Sequence, residues 1–311
     1  MKAWQYTGDN EPLALREIDE PTAGPGEVVL DVKGAGICHT DVGYLNGTIS
    51  SLLSHRPITL GHEVAGIVRE LGEGVTDFAV GDRVAVRSAL AGPGTSLDGG
   101  FQPRLAVPTA LLVSVPEGVS WDQAAVSTDA GATSYHAVVV RGAVKAGDKV
   151  GIIGFGGLGS LGVQAALGVG AQVHVAEINE GLHDYARSLG VASVSTDVND
   201  FAGLELDVII DFAGFGTTTV AAVELVRVSG RVVQVGLART HGNINLLRLT
   251  SDEIELLGSL GGSNEDNSKV LELMAEGKLE SRTTTVGFDD IPDAIGTLER
   301  GETLRRLAVL Y

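Results

Sequence analysis

Hydrophobic and polar positions change rhythm near residue 149. Before it, short runs rich in Val, Ile and Leu (EVVLDVKGAG at 27–36, EVAGIVREL at 63–71, DRVAVRSAL at 82–90, LLVSVP at 111–116) are interrupted by Gly, Pro and Asp. Such runs predict short strands joined by turns, and Pro21, Pro25, Pro57, Pro93, Pro103, Pro108 and Pro116 all fall between or beside them. From Lys149 the pattern becomes alternating. KVGIIGF is nearly all apolar, as in a parallel strand covered on both faces. Then follow a helical stretch (LGSLGVQAALGVG), a strand (AQVHVAEI), a helix (NEGLHDYARSLG), a strand (LDVIIDFAG), a helix (TTTVAAVELVRVSG) and a strand (RVVQVGL). This spacing predicts βαβ units wound into an open parallel sheet, so the chain is of the α/β class. Beyond Gly262 one more helix, NSKVLELMAEG, and a last strand, LAVLY, are expected to rejoin the first domain. The expected division is a β-rich domain over 1–130, completed by 263–311, and a cofactor domain over 131–262.

Charge removes several function classes. Forty acidic residues against 22 basic give a formal net charge of −18, which opposes binding to nucleic acid or to an anionic membrane. No run approaches the ~20 apolar residues of a membrane span, and MKAWQYTGDNEPLAL lacks an apolar core of signal-peptide length. A single cysteine excludes an intrachain disulfide. A soluble cytoplasmic protein acting on a small molecule is the expectation.

Two motifs carry chemistry. Gly154-Phe155-Gly156-Gly157-Leu158-Gly159 fits G-x-G-x-x-G between a strand and a helix, the setting in which that motif binds a dinucleotide pyrophosphate. Gly154 serves the tight turn, Gly156 the approach of the phosphates and Gly159 the packing of helix on strand. Glu177, at the end of the next strand, is placed to accept hydrogen bonds from the adenosine ribose and to repel a 2′-phosphate. With no Arg or Lys directly after it, NAD(H) is favoured over NADP(H). The second motif surrounds the lone Cys38, in GICHTD, and His62, in GHE. Position 66 is Gly, so H-E-x-x-H is absent. Cys38, His62 and Asp129 could supply a thiolate, an imidazole and a carboxylate to a zinc ion with an open fourth position. Plainer roles compete: a buried thiol as a small hydrophobe, and Asp129 as the N-cap of a helix reading AGATSYHAV.

The succession GxxCHTD, GHExxG, GDRV, DGG, G-x-G-G-L-G and RRLAVL resembles the zinc-dependent alcohol dehydrogenases of the medium-chain dehydrogenase/reductase superfamily, over essentially the whole chain. The resemblance implies a GroES-like catalytic domain beside a Rossmann cofactor domain. It assigns catalytic zinc to Cys38, His62 and Asp129, and places Glu63 beside the metal. Thr40 becomes the group that takes the alcohol proton, and Asp41 orients the ligand histidine. His39 and Arg306 would face the pyrophosphate, Thr133 and Leu158 would pack near the nicotinamide, and Val235 is a further cofactor-binding position. A homodimer or homotetramer is implied as well.

Three departures follow. The segment AVRSALAGPGTSL, where relatives carry four cysteines and a structural zinc, has no cysteine, so one catalytic zinc per subunit and no structural zinc is expected. Gly43 stands where a relay histidine is common, leaving Tyr44 or His39 as weak substitutes. Ser88 replaces a bulky aromatic, which suggests a roomier pocket. The expected reaction is reversible hydride transfer between NAD(H) and an alcohol/carbonyl pair. The competing readings are a C=C or C=N reductase of the same superfamily and a dinucleotide-binding protein without catalysis. His55, His136, His174, His183 and His241 have no partner at ligand spacing and are expected to be surface or packing residues.

Overall fold

A computed structural model describes all 311 residues, which divide into two compact units: Met1–Ala132 with Gly262–Tyr311, and Thr133–Gly261. In the first unit a seven-stranded sheet is built around the long strand Glu27–Ile37. Antiparallel to it run Glu63–Leu71 on one side and Arg306–Leu310 on the other, so the C-terminal segment belongs to this sheet. The register fixes the chemistry. Gly36 lies opposite Glu63 and Ile37 opposite Leu307, so Cys38, His62 and Arg306 are brought to one end of the sheet. One-residue slippage would turn these side chains to the other face, and the fully buried Val28, Leu30, Val32, Val64 and Val84 hold the register by their own burial. The final helix, Ile291–Glu299, places Ile291, Ala294, Ile295 and Leu298 on one face, at helical spacing, against a core containing Ile37, Leu60 and Phe101.

The second unit is a six-stranded, wholly parallel sheet in the order Ser193–Ser195, Gln172–Ala176, Lys149–Ile153, Leu206–Asp211, Val226–Gln234, Glu255–Gly258. Strand order reverses direction beside Lys149–Ile153, and the carboxyl ends of the strands there are the usual binding crevice of such sheets. Two local expectations are corrected. The helix expected through Gly230 ends at Leu225, and Val226–Gln234 is one strand. Val226, Val232 and Val233 gain more from burial in the sheet than from a helix that their β-branching disfavours. The edge strand Glu255–Gly258 was not foreseen, being four residues long and mostly exposed, without an alternating pattern.

Candidate active site

Cys38 closes the strand Glu27–Ile37 and caps the seven-residue helix His39–Leu45, while His62 directly precedes the strand Glu63–Leu71. Asp129 comes from a π-helical turn, Ser127–Gly131, that continues the helix Trp121–Val126 without a break. It is therefore inside a helical run and is not the N-cap of a new helix. A π-turn of this kind is costly and recurs at functional sites because it re-aims a side chain. Here Asp129 Oδ2 lies 3.6 Å from Cys38 Sγ and 3.6 Å from His62 Nε2. With Glu63, these residues form a group of four donors whose ligand atoms all lie within 4.8 Å of one another. Zinc bonds of about 2.0–2.3 Å in a tetrahedron require donor–donor edges of roughly 3.3–3.8 Å, so the spacing fits the ion.

The surroundings serve those donors. Asp41, fully buried, accepts a hydrogen bond from the backbone N–H of Cys38 (2.9 Å) and a longer one from that of Gly61, and its Oδ1 stands 3.6 Å from His62 Nδ1. Burial by itself would lower the His62 imidazole pKa. The carboxylates of Asp41 and Asp129, with Cys38, outweigh it and raise it well above the ordinary value. Glu63, fully buried, is pushed up by desolvation and pulled back by the Arg306 guanidinium, reaching about 7. Arg306 is itself buried and donates to Glu63 Oε1, while Glu63 Oε2 is buried without a hydrogen-bond partner. Thr40 Oγ1 lies 3.7 Å from Cys38 Sγ, and His39 is exposed at the start of the same helix. A Cβ at position 43 would stand 2.9 Å from Ile49 Cγ1, so a side chain there would require the half-buried Ile49 to shift.

In the second unit the glycine loop leaves Lys149–Ile153 and enters the helix Gly157–Val169. Gly154 has φ +82°, and a Cβ on Gly159 would stand 1.9 Å from the Gly154 carbonyl oxygen, so the tight turn and close packing read from the sequence are both required. A Cβ on Gly156 would meet nothing within 4 Å, which leaves space over the loop for a pyrophosphate. Glu177 is buried and binds the loop directly: Oε2 accepts from Phe155 N at 2.6 Å and Oε1 from Asn179 N at 2.7 Å. Ser134 donates to the carbonyl of Leu158 (2.8 Å), which ties the segment containing Thr133 to the start of the phosphate helix. Val235 follows the strand Val226–Gln234 and donates its N–H to Asp211 O. His55, His174, His183 and His241 hydrogen-bond close by, to Pro57, Ser193, Glu177 and Thr240 respectively. The buried carboxylate of Asp211, bonded to Ala213 N, Gly214 N, Thr218 and Thr219, escaped sequence reading because an Asp ending a strand has no distinctive spacing.

Residues 24–117 match the family model of the alcohol dehydrogenase GroES-like domain, and residues 157–276 match that of zinc-binding dehydrogenases. An alcohol dehydrogenase of Geobacillus stearothermophilus is 29% identical along 338 aligned positions, covering 99% of each chain. The chain belongs to the zinc-dependent alcohol dehydrogenase family. Solved structures extend the likeness. An alcohol dehydrogenase of the hyperthermophilic archaeon Aeropyrum pernix superposes with a TM-score of 0.91 at 29% identity over the whole of both chains. Acetophenone reductase of Geotrichum candidum, solved in complex with NAD, also gives a TM-score of 0.91 at 29% identity, covering all of this chain and 97% of the reductase. This alcohol dehydrogenase family member is an oxidoreductase of the alcohol–carbonyl class, with a GroES-like and a Rossmann-type part.

Proposed function

We infer that the enzyme holds a single zinc per subunit on Cys38, His62 and Asp129, prefers NAD(H) to NADP(H), and interconverts small alcohols with their aldehydes or ketones. The supporting observation is the cluster of one thiol, one imidazole and two carboxyl groups in the first unit. Their ligand atoms lie within 4.8 Å of one another, with Asp129 3.6 Å from both Cys38 and His62. Bound there, zinc supplies the Lewis acidity that makes a substrate hydroxyl acidic, and the nicotinamide supplies the hydride acceptor. The chain does the rest. Thr40 Oγ1, 3.7 Å from Cys38 Sγ, would accept the substrate hydroxyl proton while giving up its own to water, since Gly43 offers no side chain to receive it. Asp41 ties the Cys38 backbone to that of Gly61, next to His62, and faces the His62 ring at Nδ1, so two donors are preset before substrate arrives. Glu63 stays beside the donors with one oxygen held by Arg306 and the other free. By the family pattern Arg306 and His39 would face the cofactor pyrophosphate. Arg306 carries the charge, because desolvation and Arg306 itself lower the His39 pKa. Thr133 and Leu158 would pack near the nicotinamide, and Val235 would also bind the cofactor. Metal analysis joined to an NADH- and NADPH-coupled panel of aldehydes, ketones, enals and imines tests this reading. Full activity in metal-free protein would end the zinc assignment, and turnover confined to enals or imines would replace the alcohol assignment.

Asp129 is the ligand least typical of the family, and its variants separate ligation from local structure. A carboxylate oxygen is a harder donor than thiolate and gives less charge to zinc, so the ion is held less tightly. Asp129→Ala is expected to lose zinc to a chelator faster than wild type and to lose turnover with it. Asp129→Cys is expected to keep the metal and part of the activity. Normal zinc and turnover in Asp129→Asn would move the third ligand elsewhere, Glu63 first.

No helix is long and apolar enough to cross a membrane, and a cytoplasmic location is part of the proposal. So is self-association. The strand Glu255–Gly258 forms an open edge of the parallel sheet, with Leu256 and the well-exposed Leu246, Leu247 and Leu260 on or near it. Light scattering should give a dimer or tetramer, and Leu256→Asp with Leu260→Asp should shift it toward monomer. A wild-type monomer at micromolar concentration would refute this part.

A further inference from the structure

The segment Ser88–Gly100, which lacks the cysteines of a zinc lobe, is more than a shortened loop. It touches each of the three chain segments that carry the proposed ligands. At its start, Ser88 N donates to Thr128 O, one residue before Asp129. At its end, Gly99 N donates to Thr59 O (2.7 Å), Gly100 N to Gly61 O (2.6 Å) and Phe101 N to Leu60 O (3.0 Å), so the loop runs alongside the backbone leading into His62. The fit is close enough to require glycine. A Cβ on Gly99 would lie 2.4 Å from the carbonyl oxygens of Leu60 and Gly61, and one on Gly94, whose φ is +68°, would lie 3.0 Å from His62 N. In its middle, the buried Thr95 hydroxyl lies 3.1 Å from the hydroxyl of buried Tyr44. Tyr44 is on the short helix that begins directly after Cys38. The loop's position is secured independently by Ser54 N to Thr95 O (3.0 Å) and by Asp98 Oδ1, which accepts from Thr59 N (2.7 Å).

We propose that this loop is the brace of the metal centre and that Thr95 is a positioning residue, setting Cys38 through Tyr44 while its glycine neighbours set His62. The proposal rests on the reading that Cys38, His62 and Asp129 hold the metal. The separation of the three ligands in sequence explains the need. Each arrives on a different element, and Asp41 links only two of them. A loop that bonds to all three segments fixes their mutual spacing before the ion binds, which lowers the reorganisation that binding would otherwise require. Tyr44 and Cys38 are separated by less than two turns of helix, so a displacement at Tyr44 reaches Cys38 over a short path.

The test uses the full-length enzyme in zinc-loaded, cobalt-substituted and metal-free forms. Thr95→Val keeps the shape and removes the hydroxyl, Tyr44→Phe removes the same hydrogen bond from the other side, and Thr95→Ser restores it. Thr95→Val and Tyr44→Phe are each expected to release zinc to a chelator about 10-fold faster than wild type, in the range seen for outer-shell partners. Both should shift the thiolate–cobalt absorption band in the same direction. Combining them should add little, since they break one bond, and Thr95→Ser should return near wild type on both measures. A melting-temperature loss that is equal in metal-free and zinc-loaded protein, with release rate and cobalt spectrum unchanged, would reduce Thr95 to a packing residue and overturn the proposal. Wild-type protein that binds neither zinc nor cobalt would overturn the metal reading itself, and the brace with it.

Discussion

Cys38→Ala and His62→Ala proteins are expected to purify without zinc and to oxidise alcohols at least about 10³-fold more slowly than wild type. The magnitude follows from what is lost. Metal stabilisation of developing oxyanion charge is worth several kcal/mol, and each ~1.4 kcal/mol is a factor of ten in rate. Neither substitution should unfold the first unit. Cys38 and His62 sit at the end of the sheet, whereas the core is carried by Val28, Leu30, Val32, Val64 and their neighbours. Near-wild-type circular dichroism with zinc absent would therefore separate loss of chemistry from loss of fold. Elemental analysis of wild type should give close to one zinc per subunit. Two zincs would point to a further site without cysteine, and activity of Cys38→Ala within tenfold of wild type would remove the thiolate from the mechanism.

Much of this arrangement was legible in the chain. The apolar strand KVGIIGF followed by G-x-G-x-x-G specifies a strand, a turn and a helix, because three glycines are each demanded by a different steric requirement. Cys38 and His62 were legible as a pair through their motifs, and the sheet register that joins them follows from burial of one strand face. Other features were hidden for identifiable reasons. The π-turn at Asp129 leaves no periodic signature, since one added residue in a helical run barely disturbs an apolar pattern. The ion pair of Glu63 with Arg306 joins residues 243 apart, a contact that only the pairing of Arg306–Leu310 with Glu27–Ile37 creates. The role of Ser88–Gly100 was hidden for the opposite reason. Its sequence is notable for the cysteines it lacks, and glycines that close-pack on a backbone read the same as glycines that merely turn.

Wild-type enzyme is expected to use NAD(H) better than NADP(H) by roughly 10²-fold in kcat/KM, and Glu177→Gln to reduce that ratio to below about tenfold. A hydrogen bond to a charged acceptor contributes about 1.5–3 kcal/mol, so a carboxylate on the ribose hydroxyls supplies most of the wild-type ratio. Repulsion of a 2′-phosphate by the same carboxylate adds to it. Ile178, Asn179 and Glu180 follow in the chain, so the residues directly after Glu177 offer no cation to a 2′-phosphate and include a second acid. Glu177 has another task. Its two oxygens hold Phe155 N in the glycine loop and Asn179 N at the following turn. Glutamine keeps one oxygen acceptor and presents a donor to the other amide, so the loop loosens. Affinity for both coenzymes should then fall, with NAD(H) falling further because it alone loses the charge-assisted ribose contact. The ratio of the two specificity constants is thus the discriminating measurement, since loss of loop geometry alone would lower both equally and leave it unchanged. A wild-type preference for NADPH would show that Glu177 serves only the loop and that another residue receives the ribose.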